Sequence, residues 1–276
     1  MRNARRPLVV LALCGLSALS LSACGGRDYP VQNGLSTGNA SGLAISRART
    51  VHAECVAKSD HAVTLHYTAR DGARLAGVGF GKGRTGILFA NGSDLDLCSW
   101  MQTARTLAGR GYRVLLFDFA HAFGASQPPN TGSTDYGAEA IASVEILKKL
   151  GAKRIVLLGN DSGALALHLA AAAMGSAPPA AIVDMGSPLD FNDLHLIPVL
   201  ARSTAPILYV ASTGTGSYGQ PPSVGRRILQ AATGARDKQL VIVRNPYDPP
   251  QSEYFRFSWG KAAERAIFAF IDRYGR

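Results

Sequence analysis

An apolar run, Ile155-Val156-Leu157-Leu158, leads directly into Gly159-Asn160-Asp161-Ser162-Gly163 and then into an alanine-rich helical stretch. Gly-x-nucleophile-x-Gly between a strand and a helix is the pattern of a nucleophile elbow, a sharp turn that holds one reactive side chain over a cleft. The apex residue here is Asp161. A carboxylate at that point can attack an alkyl carbon; the ester formed must then be hydrolysed by water activated by a general base. Aspartate also tolerates positive φ better than most residues. A helix N-terminus favours its charge, so Asp161 can equally preserve the turn and carry no chemistry. Reading Ser162 as the apex would need glycine at 160 and 164, where Asn and Ala stand, and that register is rejected. His121 and His195 fall in loops after strands, where a base could border a cleft, although each reads more simply as a surface or packing residue. His168, among Ala and Leu, reads as a packed histidine, and His66 as a solvated one. Asp184 and Asp190 are the nearest carboxylates, with a cap or loop role the simpler reading.

The elements that must position these residues follow from hydrophobic periodicity. Val63, Leu65 and Tyr67 alternate with Thr64, His66 and Thr68, and Arg70-Asp71-Gly72 supplies a turn into a second strand over 73–81. Apolar strands are then expected at 86–90, 113–117, 155–159, 180–184, 206–211 and 239–243, with helices at about 97–110, 134–150, 162–174, 189–201, 221–233 and 258–274. Short apolar strands between helices imply a parallel sheet covered on both faces. The glycine-rich 77–83 stretch lacks the spacing of a phosphate loop and is followed by a strand, so it reads as a turn. Trp100 and Trp259 read as helix residues packing on the sheet, and Arg226-Arg227 as a solvated helix face.

With these elements the chain resembles the bacterial α/β-hydrolase superfamily, near its exported serine-aminopeptidase and dienelactone-hydrolase-like members. The resemblance rests on Asp71-Gly72 with Leu75-Ala76-Gly77, on 93–100, on Gly111-Tyr112-Arg113-Val114 leading to Phe117-Asp118, on the elbow, and on Pro206-Ile207-Leu208-Tyr209-Val210-Ala211. It implies an α/β fold: a mostly parallel eight-stranded sheet with helices on both faces and no large lid domain. It also implies a Ser/Asp/His triad, and the matched positions depart from it. Asp161 stands at the nucleophile, Thr215 at the acid and Tyr247 at the histidine; Asn91-Gly92 replaces the His-Gly often found after the third strand. The oxyanion-hole positions are Ser162, Asn91 and Gly92. Three changed positions imply a catalytically degenerate member that binds a small molecule or protein in the remnant cleft, with no cofactor. The alternatives are an active hydrolase using Asp161 with a displaced base, or a purely structural envelope protein.

The N-terminus reads as an address. Arg2, Arg5 and Arg6 precede an apolar run from Leu8 to Leu21, too short for a comfortable membrane span. Leu21-Ser22-Ala23-Cys24 has the form of a lipobox, which makes 1–23 a signal peptide, Cys24 a lipidation site, 24–50 a flexible tether and 51–276 the hydrolase-like domain. An ordinary secretory signal cleaved near Ala23 is the alternative, and Arg5-Arg6 makes Sec and Tat export both open. The expectation is an exported lipoprotein held by its acyl group on the outer side of the cytoplasmic membrane or in the outer membrane. Losing residues 1–23 lowers the formal charge of +10 by three and leaves the chain basic. With no nucleic-acid motif, that charge points to an anionic membrane surface and not to nucleic acid. Cys14 leaves with the signal, so Cys55 and Cys98 form the remaining pair. In an oxidising compartment they are expected as a disulfide, with two buried thiols as the alternative. No Cys/His cluster has metal-ligand spacing.

Overall fold

The antiparallel hairpin expected at the start of the domain is formed by β1 (Val63–Thr68) and β2 (Arg74–Phe80), paired from Val63↔Gly79 to Thr68↔Arg74. Its turn closes through Ala69 N–H to Ala73 O at 2.9 Å, with Gly72 at φ +93°, a conformation glycine enters without penalty. The protein is described by a computed structural model over residues 55–93, 95–121, 125–130, 135–213, 220–243 and 260–276. The lipobox, the tether, Thr215, Tyr247 and Trp259 lie outside these residues.

After the hairpin come β3 (Thr85–Ala90), a 3-10 turn Leu97–Trp100, α1 (Met101–Gly109), β4 (Arg113–Phe117), α2 (Tyr136–Lys149), β5 (Arg154–Asn160), α3 (Asp161–Ala173) and β6 (Ala181–Met185). The chain continues with the two-residue strands β7 (Asp190–Phe191) and β8 (Leu194–His195), α4 (Ile197–Leu200), β9 (Ile207–Ser212), α5 (Pro222–Ala231), β10 (Lys238–Val243) and α6 (Gly260–Gly275). Eight strands form one sheet in the order β1-β2-β4-β3-β5-β6-β9-β10. β2 runs antiparallel to both its neighbours, and the remaining pairs are parallel. This is the α/β-hydrolase plan, with no large lid domain evident among the described residues.

Strand alternation divides the core. Ile87 and Phe89 of β3 join Trp100, Leu107, Ile267 and Ile271 on the face covered by α1 and α6. Leu88 and Ala90 join Leu147, Leu165 and Ala166 on the face covered by α2 and α3. β3 is buried at all six positions, as a strand covered on both faces must be. Each fully buried Leu, Ile or Phe contributes on the order of 2 kcal/mol of transfer free energy.

The helix expected at 189–201 is not formed. Asn192 adopts φ +50°, so Asn192-Asp193 turns the chain back on itself and pairs Asp190 with His195 and Phe191 with Leu194. Only Ile197–Leu200 becomes helical, with Pro198 in its first turn, where the missing N–H costs nothing. The turn-forming preference of Asn-Asp outweighed the apolar periodicity around it.

Cys55 and Cys98 form a disulfide, with Cα atoms 5.6 Å apart over a sequence separation of 43. Among the described residues no helix is long and apolar enough to cross a membrane.

Candidate active site

The elbow is built as its glycines require. A Cβ on Gly159 would lie 2.9 Å from Ala164 N, and one on Gly163 would collide with the backbone oxygens of Ala90 and Asn91. Strand β5, helix α3 and the loop after β3 therefore meet with no space for a side chain at either position. Between them Asp161 stands at φ +49°, partly exposed, as the first residue of α3. The register with Asp161 at the apex is thus the one the chain adopts.

The three oxyanion-hole positions are brought to this turn, where the amides of Gly92 and the neighbouring Ser93 are engaged by side chains. Gly92 N–H donates to Asn160 Oδ1 at 3.1 Å, and Ser93 N–H donates to Ser162 Oγ at 3.0 Å. Asn91 is fully buried; its Nδ2 donates to Phe117 O at 3.3 Å, while its buried Oδ1 has no partner among the described residues. An oxyanion hole works through preorganised N–H donors aimed at the place where negative charge develops. In this loop two such donors are turned onto the elbow's own side chains.

Both displaced-base candidates, His121 and His195, are exposed. His195 Nδ1 is paired with Asp190 Oδ1 at 2.7 Å across the small hairpin. His121 lies in the loop after β4. His168 is more deeply buried than its sequence context suggested. Its Nε2 lies 2.8 Å from Asp184 Oδ2, with the two side chains 1% and 0% exposed. Ser187 completes this group, donating from Oγ to Asp184 Oδ2 at 2.5 Å and from its N–H to Oδ1 at 2.8 Å, while Tyr209 OH donates to Ser187 O at 2.9 Å. A Ser, an Asp and a His are therefore in contact, but the carboxylate sits between the other two, so no base receives the Ser187 proton. This sealed cluster ties α3 to β6 and β9. Asp184, expected in a cap or loop role, lies inside β6 and is a buried acceptor for Ser187 and His168. The sequence offered no sign that Ser187 belonged with them.

A second buried acid gave no sequence signal. Glu139 of α2 is fully buried; its Oε2 accepts from Ala120 N–H at 2.9 Å, and among the described residues its Oε1 has no partner. Burial pushes its carboxyl up to about 8, reinforced by Asp71 and Asp135 and opposed by the Ala120 bond. Asp118, after β4, holds the two sides of its loop together, accepting from Leu97 N–H at 2.8 Å and Ala125 N–H at 3.2 Å. No group of three His, Cys, Asp or Glu among the described residues is placed to hold a metal ion.

Residues 87–274 match the family model described as the alpha/beta hydrolase family. Among solved structures, an esterase of Pyrococcus furiosus superposes with a TM-score of 0.66 at 14% identity, covering 85% of this chain and 100% of that one. A monoacylglycerol lipase of Paleococcus ferrophilus gives 0.57 at 17% identity, covering 71% and 98%. A mutant of a putative epoxide hydrolase from Pseudomonas aeruginosa gives 0.55 at 17% identity, covering 77% and 96%. No curated protein matches the chain in sequence.

Proposed function

Because the chain belongs to the alpha/beta hydrolase family, we propose that it retains that family's scaffold as a binding protein of the cell envelope and not as an acyl-transfer enzyme. The observation that carries this reading is the state of the elbow. The apex is a carboxylate, and the loop amides opposite it donate to Asn160 and Ser162. The assignments of Thr215 and Tyr247 to the acid and histidine positions support it from the sequence. Loss of a single oxyanion donor typically costs about 10²–10³ in turnover, and here it is joined by the loss of the serine. The ligand is a small molecule or a protein segment taken at the carboxyl ends of the strands, where ligands of open α/β sheets bind. The chain is held at the membrane by an acyl group on Cys24.

A screen of ester, amide, haloalkane and epoxide substrates on the purified protein tests the first part, with Asp161→Ala as control. No turnover above background is expected; turnover abolished by that substitution would sink the binding reading. The second reading, an Asp161 nucleophile, is favoured by the intact positive-φ turn and the partial exposure of its carboxylate. Its signature is a covalent adduct on Asp161 with a haloalkane or epoxide, visible by peptide mass. For the anchor, Cys24→Ser should abolish acyl labelling and release the protein from membranes; unchanged labelling refutes it.

A further inference from the structure

Cations gather at the starts of the central strands, where Asp272 of α6 pairs with Arg110 and Arg276. The starts of the three neighbouring strands β4, β3 and β5 are preceded or opened by Arg110 and Arg113, Lys82 and Arg84, and Lys153 and Arg154, with no acid in the segments 81–84, 110–113 and 151–154. At the opposite end of the sheet, Asp118 follows β4, Asp161 follows β5 and Asp184 lies in β6. Cations at helix C-termini answer the helix dipole, which accounts for Arg110 after α1 and for Lys148 and Lys149 closing α2. It does not account for Lys82, Arg84, Lys153 and Arg154, which are all exposed and stand before or at strands. Among the described residues, Lys82, Arg84 and Lys153 have no ion-pair partner. Their segments are fixed to one another: Arg84 O accepts from Lys153 N–H at 2.6 Å, and Arg113 Nε donates to Gly83 O at 3.2 Å. Adjacent strands are about 4.8 Å apart, so these cations form a rigid array about as wide as a few lipid headgroups.

Beside the array is a cavity of about 560 Å³ whose lining includes Lys82, Arg113, Phe80 and Leu150. The acid among its lining residues, Asp60, is engaged by Arg105, whose Nε and Nη2 reach its two carboxylate oxygens at 2.7 and 2.8 Å. Lys82 and Arg113 therefore face this space with their charge uncancelled, next to apolar side chains, an arrangement suited to a phosphate attached to a glycerol and acyl chains.

We propose that this basic end docks the domain on an anionic phospholipid surface, taking a headgroup phosphate at Lys82 and Arg113 and turning the elbow away from the bilayer. The docking goes beyond lipid anchoring and does not depend on Cys24. Both apolar cores of the described fold lie between Leu65 and Ile271. A protein beginning at Gln32 therefore tests docking without the acyl group.

It should sediment with vesicles of phosphatidylcholine and phosphatidylglycerol at about 0.1 M salt, and not with phosphatidylcholine alone. Reversing Lys82, Arg84, Lys153 and Arg154 to Glu should weaken partitioning by about 100-fold or more. Reversing the exposed Arg226, Arg227, Lys261 and Arg265 of α5 and α6, an equal change in charge, should weaken it far less. Because Arg154 also donates to Tyr274 O, the milder Lys82→Gln/Lys153→Gln pair, which breaks no hydrogen bond of the fold, should still show a loss of about ten-fold. Hydrogen exchange on vesicles should slow in 81–84, 110–113 and 151–154. Equal binding to both vesicle types, equal loss in the two reversal variants, or protection centred on 186–196 would each overturn the proposal.

Discussion

Two acidic side chains stand out, one at the elbow and one in the core. Asp161 occupies a position whose backbone is set by its neighbours: glycine at 159 and 163 permits the close approach, and aspartate tolerates the φ of +49°. Restoring the family's usual atom should not restore its reaction. Asp161→Ser is expected to hydrolyse activated esters no faster than the parent chain in a chromogenic assay, since the amides of Gly92 and Ser93 stay on Asn160 and Ser162. Glu139 governs stability instead. In the unfolded chain it loses its proton near 4.5, while in the folded protein it keeps it to about 8. Between those values the unfolded state is charged and the folded state is not, so its contribution to stability falls as pH rises, by up to about 5 kcal/mol in all. Glu139→Gln should flatten that part of the stability–pH profile and raise the melting temperature at pH 8, with an amide oxygen still able to accept from Ala120 N–H. A denaturation series from pH 5 to 9 on both proteins measures it. A parent profile with no decline over that range would refute the assignment.

At the scale of elements, the junction of β5, α3 and the loop after β3 is the tightest part of the fold. Gly163→Ala places a methyl group against two backbone carbonyl oxygens that cannot yield without moving β3. The expected cost is at least about 2 kcal/mol in urea unfolding, with the Gly92 and Ser93 bonds disturbed. The disulfide from Cys55 to the 3-10 turn before α1 acts elsewhere. Replacing Cys98 by Ser should cost about 2–4 kcal/mol, chiefly by freeing the unfolded chain, and reduction of the parent protein should match it. Most elements could be read directly from the residues, because apolar runs such as Ile87–Ala90 and Val156–Leu158 have only one plausible fate between helical periods. The 189–201 segment departs from the helical expectation because Leu189, Leu196 and Leu200 are spaced as on a helix face, while Asn192-Asp193 turns the chain between them. The elbow was legible through its two glycines. The engagement of the loop amides was not, since a serine or asparagine side chain has no sequence mark for the distant N–H that it accepts from; nor was Glu139, whose burial depends on a helix packed over β4.

Considered whole, the molecule is a two-faced sheet whose parts close only late in the sequence. Both core clusters fall within Leu65–Ile271, so a protein beginning at Gln32 should melt within a degree or two of the longer chain; a substantially lower melting temperature would show that the first 31 residues contribute to the core. The opposite truncation is a different matter. α6 packs on β5, β6, β9 and β10, its Gly275 carbonyl accepts from Thr85 Oγ1, its Tyr274 carbonyl from Arg154, and Asp272 accepts from Tyr112 OH at 2.6 Å. The last turn of the chain thus secures the first residues of β3, β4 and β5. Without that helix one face of the sheet lacks part of its cover, so the packing that joins β3, β4 and β5 at their first residues is completed only when α6 docks.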